Sequence, residues 1–166
     1  MKRKTIIRII TIGLPILIAV LLMIPRLTSA QFGLLDDGAM LGEVRKILAG
    51  DFSMQHDLQA GRFRPLYWGY FSLIYLMAGP SPFWFFFGHM VLFLILIIEI
   101  QTLTRQMGGK PWQELLTSLI FVFSMPIVEN FYTLSKGEPL QMVFLLLALI
   151  GFEKLKTKPT SRSKWP

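Results

Sequence analysis

An acidic pair, Asp36-Asp37, is the first place in this sequence where side chains could do chemistry. It follows the end of a long apolar run by about ten residues. A carboxylate at a membrane surface can deprotonate an acceptor hydroxyl or bind a divalent metal ion through its hard oxygen atoms. Alternatively, an aspartate at a helix start accepts hydrogen bonds from free backbone N–H groups and matches the helix dipole. The sequence therefore predicts Asp36 and Asp37 as catalytic or metal-binding candidates and leaves the structural role open.

Two arginines, Arg62 and Arg64, flank a phenylalanine in the segment RFRP. The planar guanidinium fork suits phosphate oxygens. At a membrane surface, the available phosphates belong to lipid headgroups or to lipid-linked substrates. The alternative is that both arginines anchor the chain at the interface, with their stems along apolar surface.

A third polar group, Lys136 and Glu138, lies in the segment SKGEP. Ser135 and Glu138 have the Ser-x-x-Glu spacing of a capping box, which satisfies two free N–H groups at a helix start. The functional interpretation makes Lys136 or Glu138 part of an external polar site that includes Asp36. Both interpretations stay open at this point.

Ionisable residues also occur within or near the apolar runs. Intramembrane charge is costly, so Glu99, Glu129 and His89 are functional hypotheses by default. We expect Glu99 to reach Arg105 or water and His89 to be a packing residue. The sequence contains no cysteine, so thiolate metal sites are excluded, and it contains no phosphate-binding glycine loop, nucleophile elbow or zinc motif.

The elements that must position these residues are apolar. Of the 166 residues, 53% are hydrophobic and only 16% are charged, with a mean hydropathy of +0.54. Soluble domains have about a quarter of their residues charged, and a helix needs ~20 apolar residues to cross the ~30 Å hydrocarbon core. We predict an all-α polytopic membrane protein with about four transmembrane helices. The predicted spans are residues 6–25, 83–104, 113–130 and 138–154.

The orientation follows from the lysines and arginines. Basic residues are concentrated in the start at 1–5, the loop at 105–112 and the tail at 155–166. With four spans these segments share one side, which the positive-inside rule assigns to the cytoplasm. We therefore expect a multi-pass protein of the plasma (inner) membrane with both termini cytoplasmic. The net charge of +7 is explained by this topology, so membrane lipids rather than nucleic acid are the expected partners.

The first apolar run also resembles a cleavable signal peptide, because a basic start precedes it and Thr28-Ser29-Ala30 follows it. Signal h-regions usually span ~7–15 residues, and this run is longer. Pro25 and Arg26 also interrupt the approach to the cleavage site. A retained transmembrane helix is the favoured interpretation.

The external loop at 26–82 and the short turn at 131–137 lie opposite the basic segments. Within the loop, Met40, Val44, Ile47 and Leu48 share one helical face, and Gly50 is suited to end that helix. A second, aromatic apolar segment at about 66–78 is too short to span, so we expect an interfacial or re-entrant helix there. We predict one or two amphipathic or interfacial helices in this loop.

The order of these motifs resembles the N-terminal part of GT-C type membrane glycosyltransferases, the superfamily that includes protein mannosyltransferases and aminoarabinose transferases. The matching parts are a basic start with one span, then the loop segments FGLLDDGAM and GRFRPLYWGY, and later the turn NFYTLSKGEPLQM before another span. The resemblance covers residues 6–155, and each motif is short.

This resemblance implies a sugar donor carried on a polyprenyl phosphate, an external acceptor and often a divalent metal ion. It makes Asp36 or Asp37 the general base, and Arg62 and Arg64 the groups that neutralise the phosphate leaving group. Lys136 and Glu138 become further substrate-binding candidates.

Members of that superfamily usually have more spans than are visible in this chain. Three interpretations stay open: a truncated relative, a fragment, or a half-size protein whose partner, a second polypeptide, supplies the missing spans. Independent activity is not expected under any of them. The alternative function is a non-catalytic four-span scaffold, assembly partner or small transport component.

Overall fold

The computed structural model describes residues 2–33, 36–51, 55–59 and 61–157, and every regular element in these ranges is an α-helix. The predicted all-α class is confirmed. Residues 158–166, most of the predicted basic tail, lie outside the described residues. The helices are α1 (Lys2–Thr28), α2 (Asp36–Ala49), α3 (Gln55–Gln59), α4 (Pro65–Ala78), α5 (Pro82–Gln106), α6 (Pro111–Phe123), α7 (Met125–Tyr132) and α8 (Glu138–Thr157).

Two of these helices, α1 and α5, are long and apolar enough to cross a membrane, over Thr5–Thr28 and Pro82–Gln106. Helices α6 and α7 form a bent pair that adds a third span if the pair crosses as one. Two to three membrane-spanning helices of this kind indicate a membrane protein. The count of four spans stays a prediction, because α8 is not among the helices that qualify within the described chain.

The third predicted span, 113–130, is not one continuous helix. Its chain bends by 58° between α6 and α7, with Ser124 in an extended conformation at φ −68° and ψ 118°. Pro126 explains the bend, because proline lacks the N–H that would continue the ladder of α6 and its ring clashes with the carbonyl four residues earlier.

The fourth predicted span begins as expected at Glu138, and α8 continues to Thr157. Charged residues stand at both ends of α8, with Lys154 and Lys156 in its last turn, so its apolar part is short. The proposed Ser135 capping box is absent. The carbonyl of Gly137 accepts the Gln141 N–H at 3.2 Å, so Gly137, and not Ser135, is the residue that directly precedes the helix.

Helix α5 is the centre of the bundle and packs against α1, α6 and α8. It runs antiparallel to α1. Near the start of α5 the Arg26 guanidinium of α1 lies 3.8 Å from the Phe86 ring centroid, and near its end Gln101 Nε2 donates to the Thr11 carbonyl at 2.9 Å. We call the end at Arg26 and Phe86 the upper end, and the end at Thr11 and Gln101 the lower end.

Aromatic stacking joins the bent pair to this bundle. The Phe131 ring of α7 stacks on the Phe93 ring of α5 with centroids 4.3 Å apart, and both side chains are buried. The Tyr132 hydroxyl donates to the Leu22 carbonyl of α1. Helix α7 is therefore fixed between α1 and α5 in the upper half.

A second apolar cluster builds the upper end from α2, α4 and the start of α5. Met40 and Val44 of α2 are buried, as the helical spacing predicts, while Leu48 is 37% exposed. Gly50 ends α2 at φ +82°, where the Gly50 and Asp51 N–H groups donate to the Ile47 and Lys46 carbonyls. This is a Schellman ending, which favours glycine. The cluster supports the wall of a cavity.

Candidate functional site

A cavity of about 950 Å³ opens at the upper end, between α2, the α3–α4 segment and the turn that precedes α8. This volume lies within the usual range for ligand sites, roughly 300–1,000 Å³. Its charged lining residues are Glu43, Asp57, Arg62, Arg64, Lys136 and Glu138. The structure thus brings four sequence-predicted site residues, Arg62, Arg64, Lys136 and Glu138, to one cavity from two distant parts of the chain.

Asp57, which the sequence analysis did not single out, is the buried anion of this cavity. Its side chain is 6% exposed. Arg64 Nη2 donates to Asp57 Oδ1 at 2.7 Å, and Trp68 Nε1 donates to Asp57 Oδ2 at 2.7 Å. Because charge-assisted bonds of this kind are strong, Asp57 holds two cavity-lining side chains in fixed positions.

The backbone that carries Arg62 is set by the end of α3. Gly61 has φ +66°, its N–H donates to the Leu58 carbonyl at 3.0 Å, and the Arg62 N–H donates to the Asp57 carbonyl at 2.7 Å. Glycine adopts this left-handed conformation without steric cost. Pro65 then begins α4, where a missing N–H is tolerated. The two arginines therefore lie on a short segment that is fixed at both ends.

The turn that carries Lys136 packs directly on α4. The Tyr67 hydroxyl donates to the Leu134 carbonyl at 3.2 Å. A Cβ atom on Gly137 would lie 3.4 Å from Tyr67 Cδ2 and 3.8 Å from Arg64 Cδ. The Arg64 guanidinium carbon lies 4.8 Å from the Tyr67 ring centroid. Tyr67 thus fixes the separation between the arginine segment and the Lys136 turn.

Two cations and one carboxylate of the cavity remain available to a ligand. Arg64 pairs with Asp57, and Glu43 pairs with Lys46 at 2.7 Å. Across the part of the chain that the structure describes, Arg62, Lys136 and Glu138 have no ion pair. An anion can bind between Arg62 and Lys136 while Glu138 accepts a proton or a hydrogen bond.

Of the acidic pair, only Asp37 has a side chain that the structure describes. Asp37 is 5% exposed, and its Oδ2 accepts the Gly33 N–H at 2.7 Å; it does not line the cavity. Asp36 begins α2, and its side chain lies outside the described residues. Position 36 precedes the lining residues Ala39, Met40 and Glu43 by three, four and seven residues, so helical spacing places these positions on one face.

A divalent metal ion does not fit the described part of this site. No group of three or more His, Asp or Glu side chains there could hold one. Asp37, a predicted metal ligand, is occupied by a backbone N–H, and Asp57 is occupied by Arg64 and Trp68.

Other ionisable residues lie away from the cavity. Arg105 pairs with Glu114 at 2.6 Å. The expected contact between Glu99 and Arg105 is therefore not made in the described chain. Both Glu99 carboxylate oxygens are buried without a hydrogen-bond partner in the described chain. His89 is 1% exposed and is surrounded by aromatic rings, which matches a packing role. Burial raises the pKa of the nearby Tyr70 hydroxyl above its usual range, so Tyr70 stays neutral.

No family model matches the chain, and comparisons with curated proteins and with solved structures likewise find no match. The resemblance to GT-C type glycosyltransferases thus stays a prediction that depends on the quoted motifs.

Proposed function

We propose that this chain is a GT-C type membrane glycosyltransferase, or the N-terminal module of one. It transfers a sugar from a polyprenyl-phosphate carrier to an acceptor on the external face. One observation carries the proposal: Arg62, Lys136 and Glu138 converge on the upper cavity without an ion pair among the described residues. Two unpaired cations and one carboxylate suit a phosphate leaving group and an acceptor hydroxyl.

The proposed topology has four spans in the plasma membrane and both termini in the cytoplasm. Arg8, three residues past the basic start, and Arg105 of the basic loop line one smaller cavity at the lower end, which supports a common side for these two parts of the chain. The positive-inside rule assigns this side to the cytoplasm. The upper cavity then faces outward, at the level of the lipid headgroups, where the phosphate of a lipid-linked donor also lies.

The proposed reaction is displacement at the anomeric carbon of the donor sugar. The acceptor oxygen forms the new glycosidic bond as the bond between that carbon and the phosphate oxygen breaks. The bonding electrons leave with the polyprenyl phosphate, whose charge Arg62 and Lys136 stabilise. The acceptor proton passes to a carboxylate, for which Asp36 is our first candidate and Glu138 our second. Asp37 connects α2 to Gly33, so we give it a structural role.

A donor-binding assay tests the proposal. The purified full chain in lipid nanodiscs is titrated with a polyprenyl-phosphate sugar, and we expect Arg62→Gln and Lys136→Gln each to weaken binding about tenfold, the scale of one charge-assisted hydrogen bond. Arg45→Gln is the matched control, because Arg45 is exposed, bonds to Tyr75 at 3.2 Å and does not line the cavity. Equal donor affinity in all variants would contradict the proposal that Arg62 and Lys136 bind the donor phosphate.

The second candidate function is the non-catalytic scaffold or assembly partner. Apolar side chains beside the break between α6 and α7 favour it, with Ile120 64%, Phe123 63% and Met125 78% exposed. Such a surface suits lipid or a second polypeptide that supplies further spans. If the chain alone binds the donor tightly but transfers no sugar, the result favours the N-terminal module of a glycosyltransferase. If the chain does not bind the donor, the result favours the non-catalytic scaffold.

A further inference from the structure

A second cavity, of about 380 Å³, lies at the lower end between α1, α5 and the start of α6. Its lining residues are Ile7, Arg8, Thr11, Arg105, Pro111 and Glu114. It is separate from the upper cavity and plays no part in the proposed sugar transfer. Two arginines face a single carboxylate there, so the cavity carries excess positive charge.

The carboxylate is already satisfied. Glu114 is 5% exposed, and Arg105 binds it in a bidentate manner, with Nη2 to Oε2 at 2.6 Å and Nε to Oε1 at 3.2 Å. The Thr11 hydroxyl donates to the Ile7 carbonyl at 2.9 Å. Arg8 has no ion pair among the described residues. The unpaired groups of the wall are therefore guanidinium N–H donors, which require an acceptor.

The depth of the cavity indicates where that acceptor comes from. Arg8 lies three residues inside the apolar helix Thr5–Thr28, and Arg105 is next to the last residue of Pro82–Gln106. Both guanidinium groups therefore lie near the membrane–water interface, the depth at which long basic side chains reach headgroups. Trp112, 59% exposed in the first turn of α6, is the residue type enriched at this level.

The walls beside the arginines suit a lipid better than a free ion. Ile7 is 43% exposed and lines the cavity together with Pro111, so an acyl chain can lie against apolar surface while its phosphate contacts the donors. Basic pockets between transmembrane helices bind anionic headgroups in this manner. We propose that the lower cavity binds the phosphate of an anionic phospholipid through Arg8 and the outer edge of Arg105.

The test uses the purified full chain in nonionic detergent, with bound lipid measured by native mass spectrometry during titration. We expect phosphatidylglycerol to bind at least about fivefold more tightly than phosphatidylcholine, the scale of one basic residue at a membrane surface. Inorganic phosphate is the third probe. Equal affinity for the two lipids overturns the proposal, and phosphate binding as tight as that of phosphatidylglycerol overturns the lipid assignment.

Two variants locate the site. Arg8→Gln should weaken phosphatidylglycerol binding roughly five- to tenfold. Phosphatidylcholine should lose less affinity, because its choline cation already offsets the charge of its phosphate. Lys156→Gln is the matched control, because it removes one positive charge from α8, where Lys156 pairs with Glu153 at 2.9 Å outside the cavity. Arg8 is exposed, so its variant should fold. An equal loss of phosphatidylglycerol affinity in both variants would indicate general charge attraction and overturn the proposal that the lower cavity is the binding site.

A third variant should strengthen lipid binding where Arg8→Gln weakens it. Glu114→Gln removes the only carboxylate of the lower cavity's described lining and releases Arg105 toward the headgroup. Affinity for phosphatidylglycerol should then rise several-fold, the scale of one full charge at the interface. A variant that keeps the wild-type melting temperature but binds less tightly would contradict the charge argument and overturn the proposal.

Discussion

The Arg64 guanidinium is bound to the Asp57 carboxylate at 2.7 Å inside the wall of the upper cavity. The Arg64 side chain is 17% exposed and that of Asp57 is 6% exposed. Arg64 is therefore already neutralised before any ligand arrives, and Arg62 and Lys136 are the cations that remain for one.

Replacing Asp57 should destabilise the upper end. Asp57→Asn leaves the half-buried Arg64 charge without its counter-ion, and we expect the free energy of unfolding to fall by about 2 kcal/mol. Thermal unfolding in detergent, followed by circular dichroism, measures this change.

Glu43→Gln is the control for the Asp57 variant, because the Glu43–Lys46 pair is exposed and such pairs contribute little. Its melting temperature should stay within about one degree of the wild type, since surface changes usually shift stability by no more than ~0.5 kcal/mol. A similar loss in both variants would mean that the burial of Asp57 does not matter.

The two adjacent aspartates should respond differently to the same change. Asp37→Asn weakens the bond to the Gly33 N–H, so we expect a stability loss of about 1 kcal/mol with donor binding unchanged. Asp36→Asn should leave stability nearly unchanged and abolish sugar transfer if Asp36 is the base. Melting curves and product analysis by mass spectrometry, in a preparation that shows wild-type transfer, separate these effects. Retention of transfer in both variants would remove the acidic pair from the mechanism.

A buried side-chain bond joins α1 and α5 at the lower end. Gln101 is 2% exposed, and its Nε2 donates to the Thr11 carbonyl at 2.9 Å. Gln101→Leu should cost about 1 kcal/mol, the scale of interhelical hydrogen bonds in membranes. Thr102→Val is the matched control, because the Thr102 hydroxyl bonds to Ile98 within its own helix. Stability is measured in detergent by unfolding with increasing amounts of sodium dodecyl sulfate, and Gln101→Leu should unfold at the lower amount.

Apolar runs and helical spacing, which involve only neighbouring residues, predicted α1, α5 and the buried face of α2. The length and hydropathy of α1 and α5 mark them as helices suited to a membrane. The spacing of Met40 and Val44 predicts one buried helix face. The break at Ser124 also has a local cause in Pro126, but an apolar run on both sides concealed it. Length and hydropathy count residues and do not detect a bend.

The site was predictable only in part, for a physical reason. Arg62, Arg64, Lys136 and Glu138 stand out because charges beside apolar runs are few. Asp57 does not, because its partners Arg64 and Trp68 follow it by seven and eleven residues across a turn and a change of helix. In one continuous helix these spacings would share a face, but α3 ends at Gln59 and α4 begins at Pro65, so only the tertiary fold reveals that Asp57 is buried and bonded.

The topology can be tested with single cysteines, because the chain has none of its own. Arg62→Cys marks the upper end, Lys110→Cys the lower end and Lys156→Cys the end of α8; all three positions are exposed. A membrane-impermeant maleimide added to intact cells should label position 62 alone, and permeabilisation should expose positions 110 and 156. This follows from four spans with cytoplasmic basic segments. If position 156 is labelled together with position 62, α8 does not cross the membrane. If position 110 is labelled with them, α5 does not cross either, and the upper and lower cavities share one side.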